Sequence, residues 1–407
     1  MKTKIIIIVG FVLAVGLILL LTLNGDDKKD ASASAEPSAN AAQKTSGGAD
    51  QPPAAPTGAV TEISMLYSSE KKEWIEAAAT GFQKEHPEIK LTVTAKGSMA
   101  AAQGIVDGKE KPTVFSPADT LVQNLLASDW QTKNRSDLFA TSGDEAPQPL
   151  VITPLVFVVW QDRADVLLKA SGGTISWKAI HKAVTSNEGW PAIKGKPDWG
   201  FVKLGHTDPT QSNSGLQALL SMTLEYHAKT TGLQVGDVLN PKYQAFIKEI
   251  EKGVPKFEAS TGQFMTDMIR FGPSKYDIAV VYENLAISQI ENAQGRWGEL
   301  RIYYPATTLW SDHPVAVLKA DWVTPAQRTA AKVWIEYLKS RPMQELALSY
   351  GFRPADPSVA LKSADAKNPF NRLAQQGVKL EINPMAQPPE GPVIRNLMMM
   401  WSRVVAK

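Results

Sequence analysis

The sequence contains no cysteine. That absence excludes disulfides, thiolate metal sites, cysteine nucleophiles and a lipid-modified anchor cysteine. Histidine is scarce, and the five at positions 86, 181, 206, 227 and 313 show no metal-ligand spacing. No Walker A sequence, GxGxxG, GxSxG or HExxH is present, so no catalytic residue, cofactor or metal is assigned. An excess of one charge is missing too. Lys and Arg number 43 against 41 Asp and Glu, for a net +2, which gives no reason to expect a nucleic-acid partner. Between residues 24 and 60 there is no Leu, Ile, Phe, Trp or Tyr, and a segment that cannot bury apolar surface does not fold.

Just before that segment, residues 5–23 form an apolar run of 19, interrupted only by Gly10, Gly16 and Thr22. About 20 such residues span a bilayer. Lys2 and Lys4 precede the run, so the positive-inside rule holds the N-terminus in the cytoplasm and sends the rest out. Residues 1–24 are expected to be an uncleaved signal anchor in the cell membrane, with a cleaved signal peptide as the alternative. Residues 25–60 read as a disordered Ala/Ser/Pro linker.

Residues 63–120 alternate short apolar runs with helical patterns. Three strand-to-helix turns follow one another, at Ser68-Ser69, at Gly97-Ser98 and at Ser116-Pro117 with Ala118 and Asp119 behind it. A serine at such a turn is ordinarily only a cap, its oxygen accepting from an orphan N–H. The same place can hold an anionic group, because free N–H groups and the helix dipole point out of it. The near-continuous apolar run LVITPLVFVVW (150–160) suits a strand buried on both faces. HTDPTQSNSG (206–215) places Ser212, Asn213 and Ser214 before a clear helix. YDIAVVYENLA (276–286) reads as a strand ending at Tyr282, with Glu283 behind it. HPVAVLKADWVTPAQRTAAKVWIEYLKSRPMQELALSYGF (313–352) reads as a strand followed by two helices.

In this order the motifs resemble the type II periplasmic solute-binding proteins, and the molybdate-binding branch in particular. That branch carries two serines, a GS pair, an ADVF-SAD segment, a DP segment before a helix and a DAGIVY strand. Its C-terminal region follows the pattern YPVAVLK … AAKAFIDFLLSPEGQ … GF. The resemblance covers about residues 63–354. It implies an α/β fold of two lobes, each a mixed sheet flanked by helices. Lobe 1 would comprise 61–152 plus 314–407 and lobe 2 would comprise 153–313, with Pro154 at the hinge. It implies a binding protein rather than an enzyme, the ligand being held in the cleft by Ser68, Ser69, Ser98 and Asp119 from one lobe and by Ser212, Asn213, Ser214, Tyr282 and Glu283 from the other. The partner would be an ABC permease.

The segment FRPADPSVAL with the tail GVKLEINPMAQPPEGPVIRNLMMMWSRVV resembles a subgroup in which a von Willebrand factor A domain follows. The alternative function is therefore a non-transport assembly or interaction protein partnered with a von Willebrand factor A-type protein. Ligand identity stays open among an oxyanion, a cation and a small organic molecule. Uncharged hydroxyls with backbone N–H groups suit an oxyanion, whereas Asp119, Asp208 and Glu283 would repel one unless turned away or protonated.

Overall fold

The computed structural model describes residues 60–382 and 385–405. The expected anchor (1–24) and almost all of the expected linker (25–60) lie outside the described residues. Among the described residues no helix is long and apolar enough to cross a membrane.

The chain begins with strands and helices in strict alternation. β1 (Thr61–Ser68) passes through a 3₁₀ turn into α1 (Lys72–Glu85), followed by β2 (Ile89–Lys96), α2 (Ser98–Val106), β3 (Val114–Ser116) and α3 (Thr120–Asn134). β1 lies between β2 and β3 and is parallel to both, the arrangement that helical crossovers allow. α1 buries Trp74, Ile75, Ala78 and Phe82, spaced three and four apart along one stripe.

β4 (Gln148–Pro149) and β5 (Val151–Trp160) carry the chain out of this lobe. Leu155, Phe157 and Val159 of β5 face one core of the second lobe, and Val156, Val158 and Trp160 face another. The two-residue period of a strand sorts them, and two covered faces explain why the run has no polar alternation.

Lobe 2 continues with α4 (Gln161–Ser171), α5 (Trp177–Val184), β6 (Leu204–Gly205), α6 (Asn213–Tyr226), α7 (Pro241–Ile250), α8 (Thr261–Phe271), β7 (Ile278–Tyr282), α9 (Glu283–Gln289) and β8 (Leu300–Tyr303). The chain returns through β9 (Trp310–Ser311) and β10 (Pro314–Val317) to α10 (Pro325–Lys339), α11 (Arg341–Ser349) and β11 (Arg353–Pro354), and finishes with α12 (Gly391–Val404). The lobe 1 sheet runs β2-β1-β3-β10-β4. The lobe 2 sheet runs β11-β5-β7-β6, with β8 and β9 also on β5. β6 is only two residues long; a 3₁₀ turn at Pro197–Trp199 and a positive φ of 65° at Gly200 precede it.

Two antiparallel segments join the lobes. Pro149 of β4 pairs with Pro314, while Thr153 and Pro154 of β5 pair with Ser311 and Trp310. Pro154 has no N–H to give, and the next ladder bond is Leu155 N–H to Leu309 O at 3.0 Å.

The sequence reading assigns 314–407 to lobe 1, but the tail beyond β11 packs largely on lobe 2. Arg353 pairs with Ile152 at the start of β5, which hands the chain across the hinge. Phe370, Leu373 and Val378 then pack with Val156 and Phe264. α12 buries Ile394, Leu397, Met400 and Trp401 in the core that holds Tyr243 and Ile247 of α7. Arg395 of the same helix reaches Asp129 of α3 at 2.7 Å, so α12 touches both lobes.

Candidate functional site

The lobes meet along the carboxyl end of β1. A 3₁₀ turn (Ser69–Lys71) separates the strand from α1, and it turns two charged side chains inward instead of onto the solvated face of the helix. Glu70 and Lys71 are buried. Lys71 Nζ donates to the carbonyls of Ser116 (3.0 Å) and Pro117 (2.9 Å) and lies 3.4 Å from His313 Nδ1. Burial pulls the Lys71 ammonium down to about 7, against the opposing pull of Glu70 and Asp312. Burial likewise raises the Glu70 carboxyl, with Lys71 opposing.

His313 precedes β10 with a φ of 41°, a strained setting for a non-glycine residue and one often found at ligand sites. Burial, reinforced by Lys71, holds its imidazole well below the usual range and therefore neutral. Its Nδ1 lies 3.4 Å from both Lys71 Nζ and Glu70 Oε1. A neutral ring can satisfy one of the two, accepting from the lysine or donating to the carboxylate. Tyr282, at the end of β7, sets its ring 5.9 Å from that imidazole.

Asp119 caps α3, its Oδ1 accepting from Leu121 N–H at 2.7 Å. Its Oδ2 accepts from Gln217 Nε2 (2.7 Å) and Ser311 Oγ (3.2 Å). Burial and the neighbouring Asp312 push the Asp119 carboxyl up to about 7. Asn213 and Gln217 stand one turn apart on α6. Asn213 Nδ2 donates to Tyr282 Oη at 2.9 Å.

The cleft between the lobes is closed. Asn284 Nδ2 donates to Glu70 O (3.1 Å), Gly262 N–H to Ser69 Oγ (3.3 Å) and Ala100 N–H to Gln211 O (3.0 Å). A cavity of about 300 Å³ opens at its edge, lined by Ser69, Glu70 and Trp74 from one lobe and by Ser260, Thr266 and Asn284 from the other.

Of the sequence-predicted residues, Ser68, Asp119, Asn213 and Tyr282 come together deep in this cleft, and Ser69 bridges it nearer the rim. Ser98 is buried at the start of α2, its Oγ accepting from Ala118 N–H at 3.0 Å. Ser212 and Ser214 form a hydroxyl cluster with Thr261 at 3.2 and 2.7 Å, and Ser214 also meets Thr207 at 2.8 Å. Glu283 is turned away. Arg353 donates to both its oxygens at 2.7 and 2.9 Å, and Tyr304 also donates to it. The sequence reading missed Glu70, Lys71, Ser116, Gln217, Ser311 and His313. Two signals were there: Ser116 ends the third strand-to-helix turn, and the i,i+4 step from Asn213 to Gln217 places both on one face of α6.

Seven buried side-chain atoms along these segments have no hydrogen-bond partner: Tyr67 Oη, Ser68 Oγ, Glu70 Oε1, Ser116 Oγ, Asn213 Oδ1, Gln217 Oε1 and His313 Nε2. Buried polar atoms are seldom left unpaired, because each costs about 1–3 kcal/mol. Their concentration where two lobes meet marks a place shaped to surround something polar.

The fold is that of a two-lobed protein with buried polar side chains gathered where the lobes meet. Residues 63–353 match the family described as bacterial extracellular solute-binding protein, and the chain belongs to that family, one of binding proteins rather than enzymes. The thiosulfate-binding protein of Pseudomonas aeruginosa is 30% identical over 128 residues, which make up 30% of this chain and 36% of that protein. The chain thus spans only about a third of that relative's length. Among solved structures, a periplasmic thiamin binding protein is similar with a TM-score of 0.60 and 13% identity, covering 85% of this chain and 96% of that one. The sulfate-binding protein SubI of Mycobacterium tuberculosis H37Rv is similar with a TM-score of 0.51 and 16% identity, covering 73% of this chain and 88% of its own.

Proposed function

We propose that the protein is a membrane-tethered, extracytoplasmic solute-binding protein that captures a small polar ligand between its lobes and presents it to an ABC-type permease. The unpaired polar atoms in the closed cleft carry this reading. Capture requires a ligand that binds the closed form better than the open one, and a solute that pairs those atoms does so. Ser68, Asp119, Asn213 and Tyr282 line the cleft, joined by Glu70, Ser116 and Gln217; Ser69 and Ser98 hold the first-lobe wall. Ser212 and Ser214 brace the α6 N-terminus, and Glu283 acts through the hinge. The apolar run at 5–23 supports the tether, with residues 25–60 as the spacer.

The test is thermal stabilisation of the full-length protein across a panel of oxyanions, sugars, amines and metal ions. A ligand at 100 times its Kd adds about 2.7 kcal/mol. Stabilisation by one panel member, clearly reduced in Ser68→Ala, is the expected result. A protein inert to every solute, but retained by a von Willebrand factor A-type partner, would replace the transport reading with the interaction reading.

A further inference from the structure

The ligand's chemical class follows from which atoms the closed cleft leaves unpaired, an inference that rests on the solute-binding reading above. Lys71 is the only buried lysine among the described residues. Two of its protons go to the Ser116 and Pro117 carbonyls and the third points toward His313, so it has no free N–H to offer an anion. Glu70 already offsets its charge. Asp312 offsets it as well, and Asp119 makes no salt bridge among the described residues, so the cleft holds no positive charge left unmet for an anion.

The amides of α6 point the same way. Gln217 turns Nε2 toward Asp119 Oδ2 and Ser311 Oγ (2.7 and 2.8 Å), which leaves Oε1 as a bare acceptor. Asn213 gives Nδ2 to Tyr282 and keeps Oδ1 unpaired. With Glu70 Oε1, three buried acceptors are left without donors. A sulfate-like dianion could accept from the unpaired Ser68 and Ser116 hydroxyls and from His313 Nε2–H, but it would leave these three acceptors unmet and set like charge beside Glu70. A bare metal ion does not suit the cleft either, since no group of three or more His, Asp or Glu among the described residues is placed to hold one.

We propose that the cleft takes a small organic cation with a primary ammonium group, its N–H donors met by Glu70, Asn213 and Gln217. The hydroxyls of Ser68 and Ser116 face the rest of the molecule.

The test is calorimetric titration of the full-length protein in detergent with two probe sets. One holds ethanolamine, putrescine, spermidine and glucosamine; the other holds sulfate, thiosulfate, molybdate and phosphate. The expected result is binding of an ammonium probe, weakened at least tenfold in Glu70→Gln and in Gln217→Met, with the oxyanions silent. The second variant leaves the Glu70–Lys71 pair intact, so a folding defect in the first does not decide the outcome. Oxyanion binding that Ser68→Ala weakens would overturn the ammonium assignment and leave the solute-binding reading standing. An uncharged compound released from the purified protein and identified by mass spectrometry would do the same. Silence from both probe sets, with no small molecule released on denaturation, would overturn both.

Discussion

Gln217 Nε2 donates to Asp119 Oδ2 at 2.7 Å, joining the first turns of a lobe 2 helix to the cap of a lobe 1 helix. The bond exists only when the lobes are together, so it works as a latch. A hydrogen bond of this kind contributes about 0.5–1.5 kcal/mol net. Gln217→Ala should therefore shift the ligand-free protein toward the open form. Small-angle scattering should show a larger radius of gyration than wild type in the absence of ligand.

Asp119 should make closure pH-dependent. Its carboxyl is held up at about 7, above the ordinary 3.8, by burial and by Asp312. The closed form therefore keeps a proton that the unfolded chain has already released. The stability this contributes is complete below about pH 4 and is lost as pH rises to about 7. Asp119→Asn removes that slope. The difference in melting temperature between variant and wild type should favour the variant increasingly from pH 4 to pH 7 and then level off. Lys71, whose folded value is about 7 against an ordinary 10.5, acts above that window.

Gly97 is a steric gate. A Cβ there would lie 2.6 Å from Ala259 O and 2.7 Å from Gln211 O, both backbone atoms of the opposite lobe. Its own φ of −59° and ψ of 133° suit alanine. Gly97→Ala should hold the ligand-free protein open, with a radius of gyration larger than wild type by small-angle scattering, because the closed form has no room for the added methyl. Ligand affinity should fall by more than tenfold, measured by titration.

Ser68 separates binding from stability. Its buried Oγ has no partner in the closed protein, so removing it relieves a desolvated group. Ser68→Ala should melt no lower than wild type and bind its solute about 5–10-fold more weakly, the loss of one ordinary hydrogen bond.

Arg353 and Glu283 form a buried pair at the hinge, closed by Tyr304. Arg353→Ala leaves the Glu283 carboxylate buried with no ion partner and only the Tyr304 hydroxyl, at about 3–5 kcal/mol. Chemical denaturation should show that loss. Arg353→Met with Glu283→Gln should recover most of it.

The alternation of strand and helix made lobe 1 legible, because hydroxyl caps and apolar stripes are local signals. β5 was legible for the same reason: ten residues without polar alternation leave little choice of setting. The tail was not. Its crossing to lobe 2 depends on a two-residue pairing of Arg353 with β5, which no periodicity announces. At the site, serines at helix starts pointed to the cleft, but Ser212 and Ser214 satisfy one another through Thr261. Glu70 and Lys71 sit in the run EKKE, which reads as a solvated helix start, and only the 3₁₀ turn buries them. Glu283 follows Tyr282 directly, yet it points into the hinge because Arg353, 70 residues later, draws it there.

The most direct measurement is a crystal structure of the protein as purified from its own cells, read for density between α6 and the end of β1. The account predicts a small molecule within hydrogen-bonding distance of Ser68 Oγ, Glu70 Oε1 and Gln217 Oε1. Side chains that pair with one another across that space, with a bound solute lying elsewhere on the protein, would contradict it.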